Sequence, residues 1–316
     1  MIKSFFKLIR WQNLVLIAVS MIFIRYFVIL PGLHIQPAGG MKMLNFVLLI
    51  LASVFIAAGG YLLNDITDKD VDQYNKPGKN KVEKFGNEKT VIKLYWIFTA
   101  AGIVAGSLVS ITMHHADYSL IFILTAGLLW FYTKRYQCQP LVGNIVVAFL
   151  SALSFGLVWL FEFVHIFSYT SHLEAFKEYF VSTNKMVAIY MGFAFLVSLA
   201  REIVKDIEDY SGDDRFGCRT FAVAFGTGAA KTLGIAVLLS GFLFSGFVQY
   251  YFFKNDFMSL YYFFYAIDIL FFLNVVRLIK SEERKHFKML SSHLKVLMTA
   301  GILSMILCYF SLLYAN

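Results

Sequence analysis

The chain alternates long apolar runs with polar stretches, nine times over. A bilayer core about 30 Å thick needs roughly 20 apolar residues as helix. Runs near that length fall at about 12–30, 43–63, 92–112, 117–133, 141–161, 185–203, 232–252, 258–278 and 295–315. Each reads as a membrane-spanning helix. Two of the polar stretches are long, about 64–91 and 204–231, and a third, about 279–294, is basic. In 162–184 aromatic and acidic residues mix without a clear period, which suggests a short interfacial helix. The basic lead at the start precedes an apolar run too long for a signal peptide, with no small-residue cleavage site, so it reads as the first span. The pattern predicts an all-α polytopic bundle of about nine helices, a single membrane domain over 1–316 with no soluble domain.

Composition agrees. The chain is 59% hydrophobic and 15% charged, against about 45–50% and about 25% in soluble domains. The formal net charge of +8 does not point to nucleic acid, because the basic residues gather in loops between spans. With the N-terminus placed in the cytoplasm, 23 of the 28 Lys and Arg fall on the inner side, leaving only Arg25, Lys42, Lys177, Lys185 and Lys254 outside. That split predicts a cytoplasmic N-terminus and an odd number of spans, and the expected location is a bacterial or archaeal cell inner membrane. Cys138, Cys218 and Cys308 lie far apart without metal-type spacing and predict no disulfide framework. Arg25, near the outer end of the first span, is expected to snorkel to the interface. Asp268 sits mid-span and is expected to pair with a polar group on a neighbouring helix. Asn274, six residues on, falls on a different helical face and is a poor partner.

The candidate chemistry lies in two acidic clusters at span ends. In "LLNDITDKDVDQYN", Asp65, Asp68 and Asp72 recur at i, i+3 and i+7, and Asn64, Asp68 and Asp72 at i, i+4 and i+8. On a continuing helix both sets line one face, and Asp70 points elsewhere. In "REIVKDIEDYSGDDRFG", Asp206, Asp209 and Asp213 repeat the i, i+3, i+7 spacing, 141 residues further along. Matching motifs suggest two similar halves of four spans each plus a ninth, with a central site between the halves. Clustered carboxylates need cations. Magnesium takes carboxylate oxygens and bridges to substrate phosphates, so the pattern points to a metal-assisted reaction of a diphosphate. Solvated helix ends would explain one aspartate but not two sets of identical spacing. A cation- or proton-coupled transporter is the rival from another class, but it predicts acids near mid-membrane, and here only Asp268 lies deep. A structural scaffold leaves the acids unexplained.

"NDITDKDVD" (Asn64 to Asp72) and "KDIEDYSGD" (Lys205 to Asp213) resemble the two aspartate motifs of the UbiA superfamily of intramembrane prenyltransferases. "YTKRYQCQPLVGN" (Tyr132 to Asn144) is similar to the family's segment between the fourth and fifth spans. The resemblance covers nearly the whole chain. It implies an all-helical bundle that binds a polyprenyl diphosphate with Mg2+, ionises it to an allylic cation and joins that cation to an acceptor. It implies that Asn64, Asp68 and Asp72, with Asp65 adjacent, hold one magnesium centre, and that Asp209 and Asp213, supported by Asp206, hold the other. Asp68, Asp72, Asp209 and Asp213 are the implied catalytic set. Lys134, Arg201 and Lys205 are the implied diphosphate contacts, with Arg10 and Asn13 weaker ones. Where members often carry Arg-Pro after the first motif, this chain has Lys76–Pro77. The second motif is worded most like the digeranylgeranylglyceryl phosphate synthase branch, which implies a geranylgeranyl donor and a geranylgeranylglycerol phosphate acceptor. The alternative is an aromatic acceptor of quinone biosynthesis, 4-hydroxybenzoate or 1,4-dihydroxy-2-naphthoate. The expected partners are thus a polyprenyl diphosphate, a lipid or aromatic acceptor and membrane lipid, with no nucleic acid and no obligate protein partner.

Overall fold

The computed structural model describes residues 2–36, 39–75, 82, 85–169 and 173–314. Among them stand nine helices long and apolar enough to cross a bilayer. In chain order they are α1 (Trp11–Gly32), α2 (Met43–Thr67), α3 (Glu88–Thr112), α4 (Ala116–Lys134), α5 (Val142–Phe167), α6 (Glu178–Arg215), α7 (Thr227–Lys254), α8 (Met258–Lys280) and α9 (Arg284–Leu313). All nine expected spans are present, because backbone polar groups in lipid must be satisfied within the segment and the apolar runs have no other stable form. The chain is an all-α, multi-pass integral membrane protein. The stretch 162–184 holds no separate short interfacial helix among its described residues. Helix runs through Tyr169 and resumes at Leu173 as the start of the helix that contains α6.

The chain divides into two compact units. The first comprises Met1–Val19, Lys42–Val146 and Ser211–Thr220. Its core gathers Leu8, Leu14, Ala58, Leu62, Val91 and Tyr95, so the short helix Ile2–Leu8 lays its apolar face on α2 and α3. The α2 and α3 backbones approach closely at Gly102. A Cβ there would lie 2.9 Å from the Ile56 nitrogen and 3.0 Å from the Ala52 carbonyl oxygen, so only glycine fits. Within this unit Cys138 and Cys218 form a disulfide across 80 residues of sequence. This corrects the expectation of no disulfide: sequence spacing could not show that the fold returns Cys218 to the loop after α4. In the chain-entropy account a closed loop of this length contributes about 4–5 kcal/mol. Cys138→Ser is therefore expected to lower the unfolding midpoint in detergent, to the same value as Cys138→Ser with Cys218→Ser. A double variant much less stable than the single would contradict the pairing.

The second unit comprises Ser20–Met41, Val147–Tyr210 and Phe221–Asn316. The α7–α8 connection is a tight turn, and Phe252, Phe264 and Phe193 pack edge to face, with ring centroids 5.1 Å and 5.5 Å apart. Arg25 does not snorkel. It is 1% exposed, and its Nε donates to Glu162, itself 0% exposed, while Nη2 donates to the Met41 carbonyl. The Glu162 carboxylate also accepts from the Met41 N–H at 2.9 Å. The long flexible side chain finds an acid on α5 closer than the interface. Residues Ile24–Ile29 form a π-helical stretch just before Pro31, which has no N–H to donate to the turn before it. Asp268 accepts from Gln249 Nε2 on neighbouring α7, the kind of partner expected, and Asn274 instead bonds the Leu270 carbonyl at 2.7 Å.

Candidate active site

The first acidic motif is built by the last turn of α2. The Asp68 N–H reaches the Asn64 carbonyl at 2.8 Å, so the helical path holds through Asp68 before the chain re-enters helix at Lys69–Asn75. That geometry stacks Asn64 over Asp68. The Asn64 amide donates to one Asp68 oxygen, and Gln137 Nε2 donates to the other at 2.9 Å. Gln137, in the turn after α4, was not among the expected residues, and its sequence position alone gave no sign of it. Asp65 is only 3% exposed and accepts from Arg10 Nη2 at 2.7 Å. Its carboxylate is first of all an ion-pair partner, which sets it apart from Asn64 and Asp68. Arg10 reaches it from a left-handed backbone conformation, φ 52°, at the sharp junction between helix Ile2–Leu8 and α1. Burial works against the Arg10 charge, but Asp65 outweighs it and holds the guanidinium pKa above its ordinary value. The guanidinium lies 4.9 Å from the Tyr61 ring centre, and Asn13 donates to the Tyr61 hydroxyl at 3.3 Å. Arg10, Asn13, Asn64, Asp65 and Asp68 thus come together. The Asp72 side chain, and Lys76, Pro77, Lys79 and Lys81, lie outside the described residues.

The second motif rides on α6, which continues unbroken to Arg215. The i, i+3, i+7 spacing of Asp206, Asp209 and Asp213 is therefore realised on one helix, and all three are half-buried. Arg284, at the start of α9, donates to Asp209 at 3.1 Å. One turn earlier Arg201 and Lys205 converge on Glu202, with Nη1 at 2.7 Å and Nζ at 2.9 Å. Glu202 is 7% exposed and was not foreseen; the only hint was an acid set among bases in "REIVK". Arg201 Nε is buried with no partner among the described residues.

The end of the second motif belongs to the first unit, together with the first motif. Arg215 stands 4.5 Å over the Tyr74 ring, Phe216 packs on the same ring at 6.1 Å, and Cys218 is bonded to Cys138, next to Gln137. Lys134 is exposed in the last turn of α4.

The donors fit magnesium. Asn64 and Asp68 carry hard oxygens within one turn, with both Asp68 oxygens now accepting from amides, and the second motif carries carboxylates alone. Among the described residues no three His, Cys, Asp or Glu side chains form a closed cage. Magnesium does not need one, since it is held through one or two carboxylates and completes its shell with water and substrate phosphate.

Comparison with known proteins places the chain in a family. The model of the UbiA prenyltransferase family matches residues 26–314. The digeranylgeranylglyceryl phosphate synthase of Sulfurisphaera tokodaii is 31% identical over 258 residues, covering 79% of this chain and 80% of that protein. The same-named protein of Methanococcus aeolicus is 25% identical and covers 97% of both chains. Among solved structures, one described as giving insights into digeranylgeranylglyceryl phosphate synthase in membranes superposes with a TM-score of 0.63 at 22% identity, over 98% of this chain and 99% of its own. A UbiA homolog from Archaeoglobus fulgidus bound to DMAPP and Mg2+ superposes with a TM-score of 0.58 at 14% identity, over 96% and 99%. The solved structures share the fold of this chain, and the family match sets the transporter reading aside. The chain belongs to the UbiA prenyltransferase family and is a prenyltransferase.

Proposed function

We propose that this enzyme transfers a geranylgeranyl group from its diphosphate to geranylgeranylglycerol phosphate, with Mg2+, from the cytoplasmic side of the membrane. The observation that carries the reading is the pair of carboxylate motifs on helix ends, with Asn64 and Asp68 stacked one turn apart. The relatives named digeranylgeranylglyceryl phosphate synthases support the acceptor, and the basic loops support the orientation.

In this reading Asn64, Asp68 and Asp72 hold magnesium at the first motif, and Asp209 and Asp213, with Asp206 behind them, at the second. A magnesium ion held there would supply positive charge to offset that of the departing diphosphate. Lys134, Arg201 and Lys205 bind the diphosphate oxygens, and Arg201 Nε gains the acceptor it lacks. Arg10, held by Asp65, and Asn13 border the same end of α2. The prenyl C1–O bond breaks, its electron pair leaving with diphosphate. The acceptor hydroxyl adds to the allylic cation and gives up its proton. Apolar and aromatic helix faces keep water from that cation.

Purified protein should be supplied with geranylgeranyl diphosphate, Mg2+ and one acceptor at a time: geranylgeranylglycerol phosphate, 4-hydroxybenzoate or 1,4-dihydroxy-2-naphthoate. Mass spectrometry is expected to find the di-prenylated glycerol phosphate. A prenylated aromatic product instead would move the enzyme to quinone chemistry, and no diphosphate release with any acceptor would defeat the substrate assignment.

Glu202 orients two of these basic residues. Glu202→Gln keeps the shape and removes the charge that holds Arg201 and Lys205. It is expected to raise KM for the prenyl diphosphate about tenfold with a smaller change in kcat. An unchanged KM would show that Glu202 serves packing alone.

A further inference from the structure

Stability alone does not account for the place of the Cys138–Cys218 disulfide. One end lies in the single 3-10 turn Tyr136–Cys138, where Gln137, the residue before Cys138, donates its Nε2 to Asp68 at 2.9 Å. The other end lies where the helix of the second motif stops. Gly217 takes a left-handed conformation there, φ 74°, and its N–H bonds the Asp214 carbonyl at 3.2 Å. The Cys218 N–H bonds the Asp213 carbonyl at 2.8 Å. These two bonds make a Schellman cap, which fixes Cys218 on the last turn of the second motif. All of these residues belong to the first unit. A path thus runs from the Asp68 carboxylate through Gln137, the disulfide and Cys218 to the Asp213 backbone, and it is covalent from Gln137 to Cys218. Tyr74 also meets Arg215 and Phe216. Tyr74 and Phe216 are 44% and 46% exposed, however, and such a contact restrains less than a covalent bond.

Each carboxylate oxygen has two lone pairs. The Gln137 amide therefore leaves one free for a metal while it fixes the rotation of the Asp68 carboxylate. Groups that orient a metal ligand in this way change metal affinity by about 10–100-fold. The bond is also placed to open. Both cysteines are half-buried, and Gly217 and Arg219 on either side of Cys218 are exposed, which leaves an approach for a small thiol. On the cytoplasmic side a disulfide faces a reducing thiol pool. A dithiol opens it by exchange. One thiolate attacks a protein sulfur, and the second thiol then displaces the mixed disulfide. The protein gains two electrons and two protons as the dithiol closes to its own disulfide.

We propose that the Cys138–Cys218 disulfide is a redox-dependent clamp on the first metal site, acting through Gln137 as a positioning residue for Asp68. The proposal rests on the magnesium assignment and the cytoplasmic orientation given above. In the oxidised protein the clamp keeps Gln137 on Asp68. Reduction frees the turn Tyr136–Cys138 from the end of the second motif, Gln137 loses its fixed place, and the first motif holds its ion more weakly.

The probe is Mn2+, a stand-in for magnesium whose free concentration is read by electron paramagnetic resonance. Detergent-purified protein is compared oxidised and after reduction with dithiothreitol, freed of the reagent under nitrogen. Reduction is expected to raise the dissociation constant of one ion about tenfold, and Gln137→Ala with its disulfide intact to raise it by about as much. In Gln137→Ala, reduction should change it little further, because the clamp has nothing left to hold. Unfolding midpoints of the same samples separate this from a purely structural bond, since reduction lowers the midpoint in both backgrounds alike. Equal affinity of oxidised and reduced parent, an oxidised Gln137→Ala that binds like the parent, or losses that multiply, each overturns the proposal and leaves the metal assignment standing. Mn2+ bound by none of the forms overturns both.

Discussion

Asp68→Ala is expected to lower prenyl transfer at least about 100-fold while the protein stays folded. Removing a group aimed at charge that develops in the transition state costs catalysis by about 10²–10³, and Asp68 is the residue around which the first motif is organised. Its two oxygens are held by Asn64 and Gln137. Alanine deletes the acceptor for both amides, but Asn64 and Gln137 are themselves only half-buried. Water replaces the lost partner, and the stability cost is about 1 kcal/mol. Asp209→Ala should behave alike: its Arg284 partner is largely exposed, and such surface pairs are worth about 0–1 kcal/mol. The measurement is turnover of a prenyl diphosphate at saturating magnesium, beside the unfolding midpoint of each variant. Near-normal turnover in either variant removes its motif from the mechanism. Turnover lost together with the fold would place the aspartate in the scaffold.

Glu162→Ala should be the most destabilising single change in the second unit, by about 3–5 kcal/mol. Glu162 is fully buried and carries a charge opposite buried Arg25. Its removal strands a guanidinium and also takes the acceptor from the Met41 N–H. Replacing both charges, Arg25→Leu with Glu162→Leu, relieves the stranded charge but leaves the Met41 N–H and C=O without these partners, at about 1–3 kcal/mol for each buried group. The double variant is therefore expected to be more stable than Glu162→Ala and less stable than the unmodified protein. Midpoints in detergent test the order. A Glu162→Ala midpoint equal to the parent's would mean that water reaches Arg25.

The contrast between Asp68 and Arg25 shows what could be read in advance. Asn64 and Asp68 share a face because a helix returns every 3.6 residues, so their meeting was legible in the spacing. The same rule set Asp206, Asp209 and Asp213 along α6, and it took Asn274 away from Asp268. Arg25 lies 137 residues from Glu162, and no local period links them. The expectation of snorkelling followed from the depth of Arg25 alone and missed the acid that a neighbouring helix brings. The Cys138–Cys218 bond, the Gln137 contact to Asp68 and the Arg284 contact to Asp209 escaped for the same reason.

The sequence by itself determined the nine spans, the helical class, the stacking of Asn64 on Asp68 and the run of Asp206, Asp209 and Asp213 along one helix. A bilayer forces apolar runs into helices, and the helix period then orders side chains within a few turns. Tertiary structure alone decided which distant groups meet: that Asp65 answers Arg10, that Glu162 answers Arg25, and that Gln249 holds Asp268. Those choices depend on which helix packs against which and in what register. Many apolar surfaces satisfy lipid equally well, so hydropathy does not select among them. The buried polar pairs do, because each is costly until its one partner is in place.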